Sequence, residues 1–264
     1  MKEFIRLSEE KNVFESGHTL SLIQRDNDIY AYKGEADFSK IELWSGKNIY
    51  NLEYSNLVFN NMRWATITQY RDVTYLCCTE RRGNYPDTFK YQNIHVYVTY
   101  DHIEYNSLPF VIDGSAPWLY HRDNITHLYF HRKTNDKHLI LVKRWYSFEI
   151  DSIGDAKEHI ILESPLTHTL SAPSVIYWNG LFWMMCESCN YSDKGYWETV
   201  LYVSDNPIRN YVFHSVVLTD NRACAFQHII NNRYILTYST MRDNGIWKLC
   251  AKEGLITVEP IGRH

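Results

Sequence analysis

The chain has 264 residues, a formal net charge of -4 at neutral pH and an isoelectric point near 6.3. This charge balance leaves no basic stripe, which argues against a nucleic-acid partner. No run approaches the roughly 18 apolar residues of a membrane span, and the first residues lack the apolar segment of a signal peptide. We therefore expect a cytoplasmic protein without a membrane span.

Five segments of the sequence share one pattern, in which two apolar or aromatic runs flank a short polar turn. The clearest copy spans residues 170–188, where Asn179-Gly180 separates the two runs. Asn-Gly between two such runs is the strongest short signal for a β-hairpin. In chain order, the five copies cover residues 17–32, 63–80, 115–130, 170–188 and 223–238. Their recurrence indicates a repeat protein.

Each hairpin is followed by a third strand-like run, and most units have a weaker fourth. A period of roughly 50 residues with four short strands per unit is typical of a β-propeller. A two-sheet sandwich also contains many strands, but it does not repeat one hairpin five times. We predict an all-β fold, a single five-bladed β-propeller domain over residues 1–264, in which residues 1–16 could close the ring. The predicted blades are at about 17–60, 61–112, 113–166, 167–220 and 221–264.

The six cysteines lie inside strand-like runs rather than in a loop framework. This placement is typical of small buried side chains in a reducing compartment. Cys186-Glu-Ser-Cys189 has the spacing of a zinc site, but no second Cys-x-x-Cys or His pair accompanies it. We expect no metal ion and no cofactor.

The first four hairpins begin with short phrases: Gly17-His18-Thr19-Leu20, Arg63-Trp64-Ala65-Thr66, Ser115-Ala116-Pro117 and Ser171-Ala172-Pro173. Through these phrases the chain resembles the five-bladed glycosidase superfamily that includes the arabinanases and β-xylosidases of glycoside hydrolase family 43. The resemblance implies the propeller fold and a carbohydrate substrate. It also places the family's catalytic carboxylates on Thr19, Ser115 and Ser171, none of which can act as a carboxylic acid or base. The chain is therefore either a different enzyme on this scaffold or a binding protein.

Three glutamates follow an aromatic residue of the second strand at the same spacing. Glu35, Glu80 and Glu187 each lie five residues after that aromatic. If the second strands end at the same face, these carboxylates would surround one pocket as catalytic groups. Glu187 is the strongest candidate, because its apolar flanks favour a raised pKa and thus a general acid. The alternative is that all three end strands at the rim and pair with neighbouring basic residues.

Eight further side chains are candidates for binding a ligand: His18, Arg63, Trp64, Asp113, Trp118, Arg132, Arg222 and Gln227. Tryptophan faces can stack on sugar rings, and arginine suits the bidentate binding of a carboxylate or phosphate. Asp113 could replace the family aspartate missing at Ser115. Structural roles stay open for all of them: packing for the tryptophans, a core position for the histidine, rim charge for the arginines. The polar, tyrosine-rich stretches 84–90 and 190–197 are predicted to form pocket walls.

The sequence thus favours a carbohydrate-active protein that cleaves or transfers at a glycosidic linkage, with a carbohydrate ligand or substrate as its partner. The alternative is a non-catalytic glycan-binding propeller that assists surface polysaccharide metabolism. A propeller that only binds other proteins is a third interpretation. The sugar, the stereochemical outcome and the oligomeric state are left open.

Overall fold

A computed structural model of the chain describes residues 7–81, 92–149, 153–190, 196–242 and 245–255. The predicted pocket-wall stretch 84–90 lies outside these residues, as do residues 191–195 of the second stretch. The assigned elements of the described residues are twenty strands, arranged in five antiparallel sheets of four strands each. The predicted all-β, five-bladed β-propeller is confirmed.

The strands run through the blades in chain order, with β1 (Lys11–Phe14) ahead of the first blade. Blade 1 consists of β2 (Thr19–Arg25), β3 (Asp28–Gly34), β4 (Lys40–Gly46) and β5 (Glu53–Asn60). Blade 2 consists of β6 (Met62–Tyr70), β7 (Val73–Glu80), β8 (Asn93–Thr99) and β9 (Asn106–Asp113). Blade 3 consists of β10 (Ser115–Arg122), β11 (Ile125–Lys133), β12 (Lys137–Tyr146) and β13 (Glu158–Pro165). Blade 4 consists of β14 (His168–Trp178), β15 (Leu181–Asn190), β16 (Trp197–Ser204) and β17 (Val212–Leu218). Blade 5 consists of β18 (Arg222–Ile230), β19 (Arg233–Met241) and β20 (Trp247–Leu255), completed by β1.

The ring closes because the two ends of the chain share one sheet. Strand β1 pairs antiparallel with β20, so the order of the fifth sheet is β1-β20-β19-β18. The N-terminal segment therefore supplies the outermost strand of blade 5. Without β1, the outer edge of β20 would present unpaired backbone groups to solvent.

The Asn-Gly turn joins β14 to β15 as the sequence predicts. Trp178 pairs with Leu181, which leaves a two-residue loop between the strands. Asn179 and Gly180 have φ angles of 50° and 83°. Two positive φ angles in a two-residue hairpin loop match the right-handed twist of the flanking strands, and asparagine and glycine tolerate them best.

The hydrophobic core is divided into five clusters, each formed by two adjacent blades. One cluster packs Cys77, Ile94 and Val96 of blade 2 against Leu119 and Phe130 of blade 3. The other four join the remaining neighbours in the same way, including blade 5 with blade 1. All six cysteines are buried free thiols, and four of them belong to these interblade clusters.

The inner strands of blades 2 to 5 share an irregularity near their first residue. Each contains a bulge whose first residue is left-handed, with φ between 47° and 50° at Trp64, Ala116, Ala172 and Cys224. These four side chains contact one another in a separate buried cluster. Because each comes from a different inner strand, the contact lies on the propeller axis. A bulge re-aims a side chain, and here it points four of them at the axis.

Candidate functional site

Glu187 is the carboxylate at the centre of the propeller. It lies on β15 opposite Ser171 of β14 and is only 4% exposed. The Ser171 hydroxyl donates to Oε1, and the Cys224 thiol of blade 5 donates to Oε2 at 3.0 Å. Burial raises the pKa of Glu187, while the hydrogen bonds from Cys224 and Ser171 and the charge of Arg63 oppose that rise. The carboxyl group therefore holds its proton more tightly than an exposed glutamate does.

Cys224 connects Glu187 to the other blades. Its Sγ lies 3.5 Å from His18 Nδ1 of blade 1. Its side chain also packs against Trp64 of blade 2 in the buried cluster on the axis. Burial and the neighbouring Glu187 raise the pKa of the thiol, so it stays protonated and is not a nucleophile.

Aromatic rings surround His18. The imidazole lies edge-on to Phe38 and Trp247, with centroid distances of 4.3 and 5.6 Å. Burial, together with the charge of Arg63, lowers the pKa of His18 to about 3. His18 is therefore neutral at physiological pH and offers a polar ring nitrogen rather than a positive charge.

Arg63 is a buried cation stacked on aromatic faces. Its guanidinium carbon lies 4.1 Å from the Trp64 ring centroid and 5.3 Å from that of Phe38. Burial lowers the pKa of Arg63 to about 10, with a further contribution from Arg81 and an opposing one from Glu187. The side chain thus keeps its charge at neutral pH, and this charge interacts with the Glu187 carboxyl. We call His18, Arg63, Trp64, Ser171, Glu187 and Cys224 the axial cluster.

The equal spacing of the three predicted glutamates does not give them equal positions in the sheets. Glu187 pairs with Ser171, whereas Glu80 pairs with Met62, one residue outside the matching pair of Arg63 and Thr79. Neighbouring residues of a strand point to opposite faces, so Glu80 cannot occupy the place that Glu187 has. Glu35 follows the last residue of β3, Gly34, which pairs with Thr19.

Glu80 and Glu35 have other partners. Asn93 Nδ2 donates to Glu80 at 3.4 Å, and His95 Nε2 lies 3.6 Å from the same carboxylate. Glu35 forms an ion pair of 2.5 Å with Lys33. Their roles in catalysis stay predictions, and Glu187 is the glutamate of the axial cluster.

Trp118 and Gln227 hold adjacent blades together. The Trp118 indole donates to the Val175 carbonyl at 2.9 Å, and the Gln227 amide donates to the Trp183 carbonyl at 3.0 Å. Both line a cavity of about 460 Å³ formed by later residues of all five inner strands. This cavity lies at the other end of the axis from the starts of the inner strands, where the axial cluster sits.

The other predicted arginines form ion pairs outside the axial cluster. Arg132 pairs with Glu158 at 2.7 Å and with the exposed Asp113 at 3.1 Å. Arg222 pairs with Glu10 at 3.1 Å. These contacts agree with the rim-charge interpretation, and binding of a ligand by these three predicted residues stays untested.

Blade 3 places a histidine where blade 4 places Glu187. His131 pairs with Ser115, as Glu187 pairs with Ser171. Ser115 Oγ lies 3.0 Å from His131 Nδ1, and His131 Nε2 lies 2.9 Å from His138 Nδ1. Burial lowers the pKa of His131 to about 3 and that of His138 to about 4. This neutral hydrogen-bonded chain fills the position beside the axial cluster without adding a carboxylate.

The site therefore combines a carboxyl group of raised pKa with a cation and several aromatic faces. A proton donor next to rings that can stack on a sugar is suited to chemistry at a glycosidic bond. Sequence reasoning missed Cys224, Phe38 and Trp247. Phe38 has a positive φ of 60°, which is uncommon for an aromatic residue. Across the described residues, no group of three or more His, Cys, Asp and Glu side chains is placed to hold a metal ion.

Trp64→Ala is expected to lower the free energy of unfolding by about 3–5 kcal/mol, because the indole fills the axis between three small side chains. Denaturant titration measures the loss, and indole added to the variant should restore part of it. Trp44→Ala, at a half-buried tryptophan, is the matched control and should cost less. Equal losses in the two variants would show that Trp64 does not fill the axis.

Comparison with solved structures identifies the same fold in sugar-cleaving enzymes. A thermostable family-43 glycoside hydrolase superposes with a TM-score of 0.73 at 10% identity, covering 90% of this chain and 88% of its own. An exo-1,5-α-L-arabinanase from a bovine ruminal metagenomic library gives 0.70 at 9% identity, covering 92% and 94%. The GH43_1 enzyme from Xanthomonas citri complexed with xylotriose gives 0.70 at 15%, covering 92% and 89%. No family model and no curated protein sequence matches the chain. Likeness at such identities establishes the fold.

Proposed function

We propose that the protein is a glycoside hydrolase-like carbohydrate-active enzyme in which Glu187 is the proton donor. The observation that carries this proposal is the buried Glu187 carboxyl on the propeller axis, with a pKa raised by burial. A carboxyl group with a raised pKa keeps its proton to a higher pH than an exposed glutamate does, and it can donate that proton to the leaving oxygen of a glycosidic bond. Support also comes from the fold, which is shared with an enzyme solved in complex with xylotriose.

In this proposal, each kind of side chain in and around the axial cluster has its own role. Glu187 protonates the glycosidic oxygen as the bond to the anomeric carbon breaks. Phe38 and Trp247, which flank His18, offer ring faces to the sugar. The charge of Arg63 interacts with Glu187 and stabilises the carboxylate that is left once the proton has been donated.

A second candidate is the non-catalytic glycan-binding propeller, and one observation favours it. Glycoside hydrolysis ordinarily uses two carboxyl groups on either side of the bond. The axial cluster, as the described residues form it, contains one carboxyl group, that of Glu187. The arginine and the aromatic rings would bind a sugar equally well without cleaving it.

A ligand screen followed by product analysis separates the two candidates. Wild type and Glu187→Gln are heated with a panel of neutral and acidic oligosaccharides, including xylan, arabinan and galactan fragments, and hits are incubated and analysed for released sugar. The enzyme proposal expects a ligand that stabilises both proteins and is cleaved only by wild type. Stabilisation of both without any product would establish the binding module instead. If no sugar stabilises either protein, the carbohydrate proposal fails.

A further inference from the structure

The thiol of Cys224 lies in a fixed hydrogen-bonding environment on the propeller axis. It contacts Glu187 of blade 4, His18 of blade 1 and Trp64 of blade 2, while Cys224 itself belongs to blade 5. Cys224 thus joins four of the five blades at the carboxylate of the proposed acid. Cys224 is fully buried, and its raised pKa leaves the thiol protonated.

The direction of the hydrogen bonds follows from the chemistry of the partners. The Glu187 carboxylate oxygen can only accept, so the S–H group is the donor in that contact. Glu187 Oε2 at 3.0 Å is also nearer to the sulfur than either ring nitrogen of His18, at 3.5 and 3.7 Å. The thiol therefore donates to the carboxylate.

The backbone of Cys224 sets the direction of this thiol. The left-handed conformation of Cys224, with φ of 49°, belongs to the bulge that aims this residue at the axis. The equivalent residues Ala116 and Ala172 have the same conformation but no side-chain donor.

From this geometry we propose that Cys224 is a positioning residue for Glu187, holding the carboxyl in place through its thiol. The inference rests on the proposed function, since Glu187 is the proton donor only there. A thiol donates a weaker hydrogen bond than a hydroxyl does, so it orients the carboxylate while stabilising its charged form less. Cysteine at this position therefore suits an acid that must keep its proton.

Other ionisable groups near Glu187 also affect its proton affinity. Arg63 of blade 2 favours the charged carboxylate, whereas His18 of blade 1 is neutral. Cys186 and Cys189, on the same strand as Glu187, have thiol pKa values that burial, and next the Glu187 charge, raise. None of these groups changes when Cys224 is substituted, so a change in the proton affinity of Glu187 reports on Cys224.

The test compares Cys224→Ser and Cys224→Ala with wild type by isotope-edited infrared titration of the glutamate carboxyls, with Glu187→Gln identifying the Glu187 band. Because serine is the stronger donor and alanine removes the donor, the acid dissociation constant of Glu187 should rise in the serine variant and fall roughly tenfold in the alanine variant. Cys78→Ala, at a buried cysteine in the core between blades 1 and 2, is the matched control and should leave that constant unchanged.

The S–H stretching band of Cys224 gives a second readout, because it is compared between two proteins that both keep this cysteine. At a pH at which Glu187 is ionised, the band lost in Cys224→Ser should lie at the low frequency of a strongly hydrogen-bonded thiol in wild type. It should move up in Glu187→Gln, because a neutral amide oxygen accepts more weakly than a carboxylate. This readout still decides the question if Cys224→Ala does not fold.

The two proposals fail in different ways. If Cys224→Ser and Cys224→Ala change the melting temperature but leave the Glu187 titration and the S–H band where they are in wild type, Cys224 is a packing residue and the inference is overturned. If the titration and the band move as expected but no glycan is cleaved, Cys224 positions the carboxyl and the proposed enzyme function is wrong.

Discussion

Glu187→Gln is expected to lower the turnover of a cleaved glycoside by roughly 10²–10⁴-fold, the contribution that a positioned general acid makes. Glutamine keeps the size of glutamate and can satisfy the same neighbours: its oxygen accepts from the Cys224 thiol, and its amide donates to the Ser171 hydroxyl. The fold and the affinity for the sugar should therefore be retained. Steady-state kinetics gives the change in kcat, and calorimetry gives the Kd.

The pH dependence of kcat should also change in a defined direction. Since Glu187 must be protonated to act, and since burial raises its pKa, kcat should fall only when the pH rises above that raised value. The residual activity of Glu187→Gln should lack this alkaline decline. Glu163→Gln, at an exposed ion pair with Lys137, is the control and should behave as wild type. Full activity of Glu187→Gln would remove Glu187 from the mechanism.

The fold was predictable because its signals are local. Every blade begins with a hairpin whose turn residues lie next to each other in the sequence, as Asn179 and Gly180 do. Five copies of this pattern define five sheets, since a two-strand hairpin can bury its apolar face only against the next unit. The packing of the blades then follows from the alternation of apolar residues along each strand.

The candidate site was only partly predictable because its contacts are not local. Glu187 stood out by its apolar flanks, but its partner Cys224 is 37 residues away on another blade. The bulges of β6, β10, β14 and β18 add one residue to each inner strand. Their left-handed residues are Trp64, Ala116, Ala172 and Cys224 rather than glycine, so nothing in the sequence marks them.

The register of the aromatic residues explains why Glu80 and Glu187 do not share one position. Counting residues from an aromatic side chain in the second strand assumes that this aromatic occupies the same register in every blade. In the structure Tyr75 pairs with Thr68 and Phe182 with Tyr177, pairs that lie at different distances from the bulge. A shift of one residue moves a side chain to the other face of its strand, which separates Glu80 from the position of Glu187.

Several buried histidines give the protein a predicted sensitivity to acid. His18, His131 and His228 are buried, and burial lowers the pKa of each to about 3. In the unfolded chain each would titrate near 6.5. Between these values the unfolded state binds the additional protons, so stability is complete above the unfolded pKa and is lost as the pH falls.

These three groups alone lower the free energy of unfolding by about 4 kcal/mol for each pH unit below 6.5, since each proton contributes about 1.36 kcal/mol per unit. Domains are stable by about 5–15 kcal/mol, so we expect unfolding within about two to three pH units. Glu187 acts in the opposite direction, because its raised pKa makes the folded state bind the extra proton.

Denaturant titrations from pH 7 to 4 measure this slope of the unfolding free energy against pH. His228→Gln should reduce the slope by the contribution of about one proton. A flat profile over this range would show that the three imidazoles accept protons in the folded state.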